Sequence, residues 1–404
     1  MSSRGHSPES SGDGVRPGAE TDTPGPFVLG VDSGGSGLRV ALGTLGRSAP
    51  VGTTVCAAPV RTGPGGIDAG HLLEQLLPAA RLLLERHGSG GSSGGAQGSA
   101  IAAVAIGAAG MATLGGQLRT ELPPALEQAL GVRRLALAAD AVTAYAGAVG
   151  QRPGAVVAAG TGMIALGTDL TSWHRADGWG HLLGDSGGGA WIGRAGLDAA
   201  MRAHDGRRGG SAALLARLEA VFGPAPELPG LLYPRTDRPA VLASFAPEVA
   251  ACAGHDPVAA GILREAAGHI AEAAAAVCPK AGADDEPCEV ALTGGLFRMG
   301  DPLLVPLREE LARQVPQART VPGSGDPLTG ALSIAQALAT GDLLLPRHPT
   351  LLCVPGDGPA EEPGQALGQV PTEQDSQPVS LSSDKSGQMT PDYPLPERRG
   401  TQNQ

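Results

Sequence analysis

The sequence predicts an α/β protein with two domains around a central cleft. The chain has 404 residues, more than the roughly 100–200 of one typical domain. Short apolar runs alternate with helical patterns along most of its length. Two halves each open with a strand, a glycine turn and a second strand, which suggests an internal duplication. We place the cleft between the domains near residue 150.

The composition and the charge argue against nucleic-acid-binding, membrane-spanning and disulfide-rich proteins. Hydrophobic residues make up 42% of the chain but aromatic residues only 2%, so the core must consist of Ala, Leu and Val. Most of the net charge of −11 lies in residues 1–26 and 353–404, and an acidic chain is a poor electrostatic match to nucleic acid. We find no run of 18 apolar residues and no secretory signal, so we expect a cytoplasmic protein without a membrane span. The five cysteines form no C-x-x-C pair, which argues against a disulfide framework and a zinc site.

The first half alternates strands and helices in the order that an α/β domain requires. The segment 68–87 reads as a helix because Asp68 is a candidate N-cap and Gly88 follows its end. The run 101–106 has no polar face, as expected of a strand covered on both sides. The predicted strands are 27–31, 38–42, 51–59, 101–106 and 135–139, and the predicted helices are 68–87, 123–130 and 141–149.

The second half repeats the pattern. Its predicted strands are 155–159, 163–166 and 289–292, and its predicted helices are 190–203, 211–221, 240–253, 257–278 and 326–339. We predict domains at 27–149 and 150–325. Residues 1–26 and 353–404 are polar and poor in large apolar groups, so we predict disordered tails there. The run 88–99 reads as a flexible loop.

Three glycine-rich loops follow predicted strands, at 32–37, 160–162 and 293–295. Glycine lets backbone amides approach a phosphate closely, and successive N–H groups form an anion nest. Ser36 and Thr161 add hydroxyl donors, and Asp32 offers the oxygen that Mg²⁺ prefers. Any one of these loops could be a simple tight turn, but three in the same context favour phosphate binding.

Two common nucleotide motifs are excluded. A Walker A loop needs a lysine that neither Lys280 nor Lys385 supplies, and the first glycine turn leads into a strand and not into the helix of a Rossmann fingerprint. Asp140 ends an apolar strand and begins a helix. It is either an N-cap or a general base that faces the cleft.

Two of the three tryptophans lie in a glycine-rich segment, GWGHLLGDSGGGAWIG, at 178–193. An aromatic face beside the carboxylate of Asp185 suits a sugar ring. The alternative is a buried tryptophan that anchors a glycine loop.

These residues resemble a known family. The loops at 32–36, 160–162 and 293–295 resemble the phosphate-1, phosphate-2 and adenosine motifs of the actin-like ATPase superfamily. The segment 178–193 resembles the N-acetylglucosamine kinases of the BadF/BadG/BcrA/BcrD ATPase family. The resemblance covers about residues 27–345. It implies two ribonuclease-H-like domains around a nucleotide and sugar cleft, with the final helix, 326–340, returning to the first domain.

The resemblance also implies roles for single residues. Asp140 would take the proton from the sugar 6-hydroxyl, and Asp32 would organise Mg²⁺. The ATP contacts would be Gly34, Gly35, Ser36, Gly160, Thr161, Gly162, Gly294 and Gly295. The sugar contacts would be Asp140, Gly178, Trp179, Gly180 and Asp185. The expected partners are ATP and a small-molecule sugar, without nucleic acid or membrane, and a homodimer is left open.

The chain departs from the family pattern at two places. The stretch 62–66 lacks the usual sugar-binding Asn, and Ser186 stands where Glu is usual. Two other functions therefore remain open, a sugar or nucleotide sensor without catalysis and a redox-activator ATPase. The scattered cysteines make the second of these the weaker reading.

Overall fold

The computed structural model describes residues 26–35, 37–63, 65–88, 101–279 and 288–356. The predicted disordered tails and the predicted flexible loop after Gly88 lie almost entirely outside these residues. The described chain is α/β and builds two mixed sheets, which confirms the predicted class. None of its helices is long and apolar enough to cross a membrane.

The strands and helices alternate along both halves of the chain. The strands are β1 (Phe27–Gly34), β2 (Gly37–Thr44), β3 (Gly52–Cys56), β4 (Thr62–Gly63), β5 (Gly66–Ile67), β6 (Ile101–Ala108), β7 (Leu135–Ala139), β8 (Gly154–Ala159), β9 (Met163–Thr168), β10 (Trp173–Asp177), β11 (Cys288–Thr293), β12 (Ala318–Pro322) and β13 (Leu352–Cys353). The helices are α1 (Ala69–His87), α2 (Met111–Leu114), α3 (Gly116–Leu130), α4 (Asp140–Ala148), α5 (Gly189–His204), α6 (Ala212–Phe222), α7 (Leu228–Leu232), α8 (Arg238–Ser244), α9 (Ala246–Cys252), α10 (Pro257–Val277), α11 (Asp301–Gln314) and α12 (Pro327–Thr340).

The first sheet has the order β13-β7-β6-β1-β2-β3. Strand β1 pairs antiparallel with β2 and parallel with β6, and β6 pairs parallel with β7. The residues of β7 are all buried, in accord with an apolar run that is covered on both faces. Because β1, β6 and β7 run in one direction, their carboxyl ends meet at one edge of the sheet.

The second sheet repeats this plan. Its order is β10-β9-β8-β11-β12, with β8 antiparallel to β9 and parallel to β11, and β11 parallel to β12. The five strands β3-β2-β1-β6-β7 of the first sheet follow the same order and the same directions. The duplication that the two glycine-turned hairpins suggested is therefore present in the topology. In both sheets, the glycine loops that follow β1, β8 and β11 therefore lie at the carboxyl ends of parallel strands.

Helices α4 and α12 touch through their backbones. A methyl group on Gly330 of α12 would overlap the carbonyl oxygen of Thr143, and one on Gly147 of α4 would overlap the carbonyl oxygen of Asp326. Leu332 of α12 in turn lies directly on Gly30 of β1. The last helix thus packs on both α4 and the first sheet. This contact requires residues without side chains.

Several predicted helix boundaries agree with the structure. Asp68 caps α1 by accepting the His71 N–H (2.9 Å). Asp326 caps α12 in the same way through Thr329 (2.9 Å).

Two predicted helices are wrong in extent. Helix α3 begins at Gly116, not near Pro123, because the buried side chains of Leu118, Leu122 and Leu126 hold one continuous helix through its prolines. The predicted helix 240–253 is two helices, α8 and α9. Pro247 lies in the first turn of α9, where a ring that lacks an N–H is tolerated. The sequence analysis also missed β10, β12 and α11. The two strands are only partly buried and lack a continuous apolar run, whereas α11 does carry a helical pattern in Leu303, Leu307 and Leu311.

The expectation of no disulfide is wrong at one pair. Cys278 follows the end of α10, Cys288 begins β11, and their sulfur atoms are bonded with the Cα atoms 6.3 Å apart. The spacing of ten residues carries no pairing signal, since only the packing of α10 on the second sheet brings the two ends together. The other three cysteines are free.

The contact between α4 and α12 predicts a stability difference between two glycine substitutions. Gly330→Ala should destabilise the protein by roughly 1–3 kcal/mol, because the added methyl forces the helices apart. Gly268→Ala in α10 is the control, since a methyl there meets nothing within 4 Å. It should be neutral or stabilise by up to about 1 kcal/mol, the helix-propensity gain. Thermal and urea unfolding measure both values, and equal effects would contradict the close contact.

Candidate active site

Two predicted carboxylates lie at the same edge of the first sheet. Asp32 is near the end of β1, and Asp140 directly follows β7. Strand β6 lies between them, with Ala108 opposite both Ser33 and Ala139. The structure therefore brings together the predicted metal ligand and the predicted base, which are 108 positions apart in the sequence.

Asp140 is the first residue of α4, and its Oδ1 accepts the Ala141 N–H (2.9 Å). Asp140 is open to water on one side. Protein atoms on the other sides still remove part of the water around its carboxylate. Burial raises the pKa of Asp140 to about 6; the Ala141 N–H and Arg175 lower it, whereas the charge of Asp32 raises it. Such a carboxylate is mostly ionised at pH 7 and is a stronger base than an ordinary aspartate, which suits proton abstraction.

Asp32 is held by one arginine. Its Oδ2 accepts Nε (2.9 Å) and Nη2 (2.6 Å) of Arg39, the residue opposite it on β2. No cluster of three or more metal-ligating side chains occurs in the described residues. Mg²⁺ in nucleotide sites commonly uses one or two carboxylates, with phosphate and water as its other ligands. Asp32 fits that requirement.

The predicted phosphate loops expose their backbones. A methyl group on Gly34, Gly35 or Gly160 would meet nothing within 4 Å, so open space lies above them. Ser36, the other predicted phosphate contact, lies outside the described residues. Gly294 adopts φ +107° and approaches the Ala159 carbonyl so closely that a methyl group would overlap it, which explains the glycine at that position.

A pocket of about 640 Å³ adjoins these loops in the second half of the chain. Of the predicted ATP contacts, Gly160, Thr161 and Gly295 line it. Its size and largely apolar wall are typical of small-molecule sites. Sequence reasoning missed the rest of the wall. It comprises Gly189, Ala243, Ala246, Pro247, Ala250, Ala251, Leu296, Arg298, Met299 and Pro302.

The remaining predicted ATP contact, Gly162, touches the predicted sugar loop. A methyl group on Gly162 would overlap the carboxylate of Asp185. Asp185 also accepts the Gly180 N–H (3.2 Å). Burial raises the pKa of Asp185, in spite of that hydrogen bond. Asp185 thus braces the loop against the second phosphate loop, and two of the predicted sugar contacts bond to each other.

Asp177 organises the same loop, and the sequence analysis missed it. Its two oxygens accept the backbone N–H groups of Asp185 (2.6 Å) and Ser186 (2.9 Å). Asp177 and Asp185 both adopt left-handed backbone conformations, with φ +59° and +56°. Aspartate tolerates that region better than most residues. The carboxylates therefore shape the loop from inside.

The two tryptophans of this segment have different environments. Trp191 packs edge-on against His269, with ring centroids 5.2 Å apart, and fits the reading as an anchor. Trp179 is 62% exposed, and the Arg175 guanidinium lies over its ring at 4.3 Å. Arg175 donates to the carbonyl oxygens of Asp177 (3.0 Å) and Gly178 (2.6 Å). The charge of Arg175 also lowers the pKa of Asp140, so one arginine interacts with both the exposed tryptophan and the predicted base.

A second pocket, of about 560 Å³, lies at the stretch that lacks the family asparagine. Its wall consists of Arg61, Thr62, Gly63, Gly65, Gly66, Asp68 and Gln117. The Gln117 side-chain oxygen is 4.0 Å from the position of a methyl group on Gly65. The side-chain amide of Gln117 thus lies beside residues 62–66, although it belongs to α3 and not to that stretch.

Residues 29–335 match the family model described as the BadF/BadG/BcrA/BcrD ATPase family. The chain belongs to this family. The predicted membership is therefore confirmed, and with it the actin-like ATPase fold.

The chain is similar to proteins named as amino-sugar kinases. It is 31% identical over 186 residues to the N-acetylmuramic acid/N-acetylglucosamine kinase of Clostridium acetobutylicum, a match that spans 45% of this chain and 55% of that kinase. The chain thus spans about half the length of this curated relative. The crystal structure of a candidate N-acetylglucosamine kinase from Chromobacterium violaceum is 30% identical, with a TM-score of 0.55, over 78% of this chain and 99% of that one. A counterpart from Porphyromonas gingivalis has the same TM-score at 17% identity and supports the fold alone.

The environment of Asp140 predicts that its charge destabilises the folded protein. Its pKa in the folded state exceeds the ordinary value of 3.8, so ionisation is harder in the folded chain than in the unfolded one. The resulting penalty is absent below about pH 4 and complete above about pH 6. Asp140→Asn should therefore raise the melting temperature at pH 8, and the gain should vanish towards pH 4.

The matched control for this stability measurement is Asp301→Asn. Asp301 is likewise the first residue of a helix, α11, and is open to water as Asp140 is, so both substitutions lose the same interaction with a helix N-terminus. A melting temperature that falls at pH 8 in Asp140→Asn as it does in Asp301→Asn would contradict the proposed environment.

Proposed function

We propose that the chain is an ATP-dependent kinase that phosphorylates the 6-hydroxyl of N-acetylglucosamine or a related amino sugar. The observation that carries the proposal is that Asp32 and Asp140 lie at the same edge of the first sheet, at the ends of two strands that flank β6, in a chain that also has an apolar pocket and an exposed tryptophan. Phosphoryl transfer needs a positioned acceptor and stabilised charge more than covalent chemistry, and this arrangement offers both. We place such an enzyme in the cytoplasm, where ATP is available.

The roles follow from position. The apolar pocket beside Gly160, Thr161 and Gly295 would take the adenosine, and the backbone amides of the glycine loops would bind the phosphates. Asp32 would hold Mg²⁺, which neutralises phosphate charge when bound. Asp140 would accept the proton of the sugar hydroxyl.

The sugar would lie against Trp179. An exposed aromatic ring binds the apolar face of a pyranose, and Asp185 keeps the loop in place. Arg175 adds a positive charge on this side, which suits sugars with an anionic substituent. N-acetylmuramic acid, a substrate named for the Clostridium relative, therefore belongs in the panel of acceptors.

A sensor without catalysis is the second candidate. The observations that favour it are Ser186 in place of Glu and the missing asparagine at 62–66. The structure offers Gln117 beside the second of these positions. At Ser186 the carboxylate of Asp177 lies close by, but it already accepts the backbone N–H groups of Asp185 and Ser186. A protein that binds sugar and ATP and yet releases no ADP with any amino sugar would support the sensor.

Asp140→Asn tests the proposed base. It should lower kcat by roughly 10²–10⁴-fold and leave the sugar KM little changed, because the residue acts on the transition state. A coupled ADP-release assay measures the rate, and phosphorus NMR of the product locates the new ester. Asp205→Asn, an exposed aspartate at the end of α5, is the control and should retain full activity. Turnover at the parent rate in Asp140→Asn would refute the mechanism.

Trp179→Ala tests the proposed sugar contact. Loss of an apolar contact of roughly 20–60 Å² costs about 0.5–1.5 kcal/mol, so the sugar KM should rise roughly 3–10-fold, while the KM for ATP should stay constant. Tyr233→Ala removes another exposed aromatic side chain (73% exposed) and should change neither constant. A sugar KM that does not move in Trp179→Ala would place the sugar elsewhere.

A further inference from the structure

Arg39 joins two carboxylates that are far apart in the sequence. Its Nε and Nη2 donate to Oδ2 of Asp32 (2.9 and 2.6 Å), and its Nη1 donates to Oδ2 of Asp326 (2.5 Å). Burial lowers the pKa of Arg39, but the two carboxylates outweigh this effect and raise it. The planar guanidinium can serve two carboxylates at once, which an ammonium group cannot do with the same geometry.

The pairing leaves one oxygen of Asp32 available. Both hydrogen bonds from Arg39 go to Oδ2, and within the described residues no hydrogen bond is formed to Oδ1. The Asp32 side chain is only 14% exposed. The two hydrogen bonds from Arg39 therefore hold its orientation with little competition from water. The carboxylate can thus offer a single, fixed oxygen to a cation.

Asp326 lies on the segment that joins the two sheets. Strand β12 of the second sheet ends at Pro322, and α12, which packs on the first sheet, begins at Pro327. Between them, Ser324 donates its N–H to the carbonyl oxygen of Ala148 (3.1 Å) at the end of α4. Asp326 also caps α12 through Thr329. Burial raises its pKa, but the bonds from Thr329 and Arg39 lower it overall.

We propose that Arg39 is a positioning residue that couples the nucleotide site to this connecting segment. It orients Asp32 and balances the acidic charge at the site. The Asp326 carboxylate, although placed outside the proposed site, therefore contributes to nucleotide binding through Arg39. The inference rests on the proposed nucleotide site and adds Arg39 and Asp326 to the residues on which nucleotide binding depends.

The two charge effects of Arg39 have opposite signs. Without its positive charge, Asp32 attracts a bare cation more strongly, because two unit charges a few ångströms apart interact by several kcal/mol at an effective dielectric constant of about 20. An anionic nucleotide binds more weakly when Arg39 is removed, for two reasons. It loses the positive charge of Arg39, and it loses the oriented Asp32 carboxylate that would hold its Mg²⁺. A merely structural arginine would weaken both ligands together.

The test is equilibrium binding of Mg²⁺ with a non-hydrolysable ATP analogue, measured by calorimetry on the full chain. Asp326→Asn keeps the cap, since Asn still accepts the Thr329 N–H, but loses the ion pair. It should weaken nucleotide binding roughly 3–30-fold, while the control Asp198→Asn, which breaks an Arg pair within α5, should bind as the parent does. Arg39→Gln should weaken nucleotide binding at least as much, and Arg39→Lys should restore it only in part.

Two further readouts separate positioning from folding. The melting-temperature shift caused by Mg²⁺ alone, at constant ionic strength, should be equal or larger in Arg39→Gln than in the parent. Combining Arg39→Gln with Asp326→Asn should cause no more loss of nucleotide binding than Arg39→Gln alone, because both remove one interaction.

The outcomes distinguish this inference from the proposed function. If the parent binds nucleotide and Asp326→Asn binds it equally well, the coupling through Arg39 is wrong and the nucleotide site stands. Arg39→Gln that loses nucleotide and Mg²⁺ responses together would likewise reduce Arg39 to a structural role. If the parent binds no nucleotide, the proposed function fails and the inference fails with it.

Discussion

The candidate site depends on the parallel pairing of three strands, β1, β6 and β7. Parallel strands end at one edge of a sheet, so whatever follows them is gathered there without any further device. Asp32 and Asp140 meet for this reason, and their proximity and burial give Asp140 its raised pKa of about 6. An antiparallel arrangement of the same runs would separate the two carboxylates.

The same topology occurs a second time and serves a different purpose. The strands β8, β11 and β12 gather glycine loops in place of carboxylates, beside a largely apolar pocket. In the proposed mechanism, the catalytic carboxylates thus belong to one half of the chain, and the apolar pocket for the adenosine belongs to the other. The contact of Gly330 and Gly147, together with the Arg39 ion pairs, ties the connecting helix α12 to the charged half. An aromatic-poor core of small residues permits such close helix packing.

Much of this arrangement could be predicted from the sequence. Apolar runs located β1, β6 and β7, and single residues such as Asp68 and Asp326 marked helix starts, because capping is a local property. The roles of Asp177 and Arg39 could not be predicted, since tertiary packing sets their hydrogen-bond partners. The same holds for the part of the pocket wall that α9 supplies. The disulfide between Cys278 and Cys288 was missed for the same reason, and the prolines of α3 misled the reading because packing outweighed their local preference.

The most direct test of the account is the pH dependence of kcat/KM for the sugar. The measurement keeps Mg²⁺-ATP well below saturation between pH 5 and 9, so that the pH dependence reports the free enzyme, within the range where the protein stays folded. A base must be ionised to accept a proton, so activity is lost as the pH falls through its pKa. The account predicts a constant kcat/KM above pH 7 and a tenfold fall for each pH unit below about 6. A kcat/KM that stays constant down to pH 5 would contradict the role and the environment assigned to Asp140.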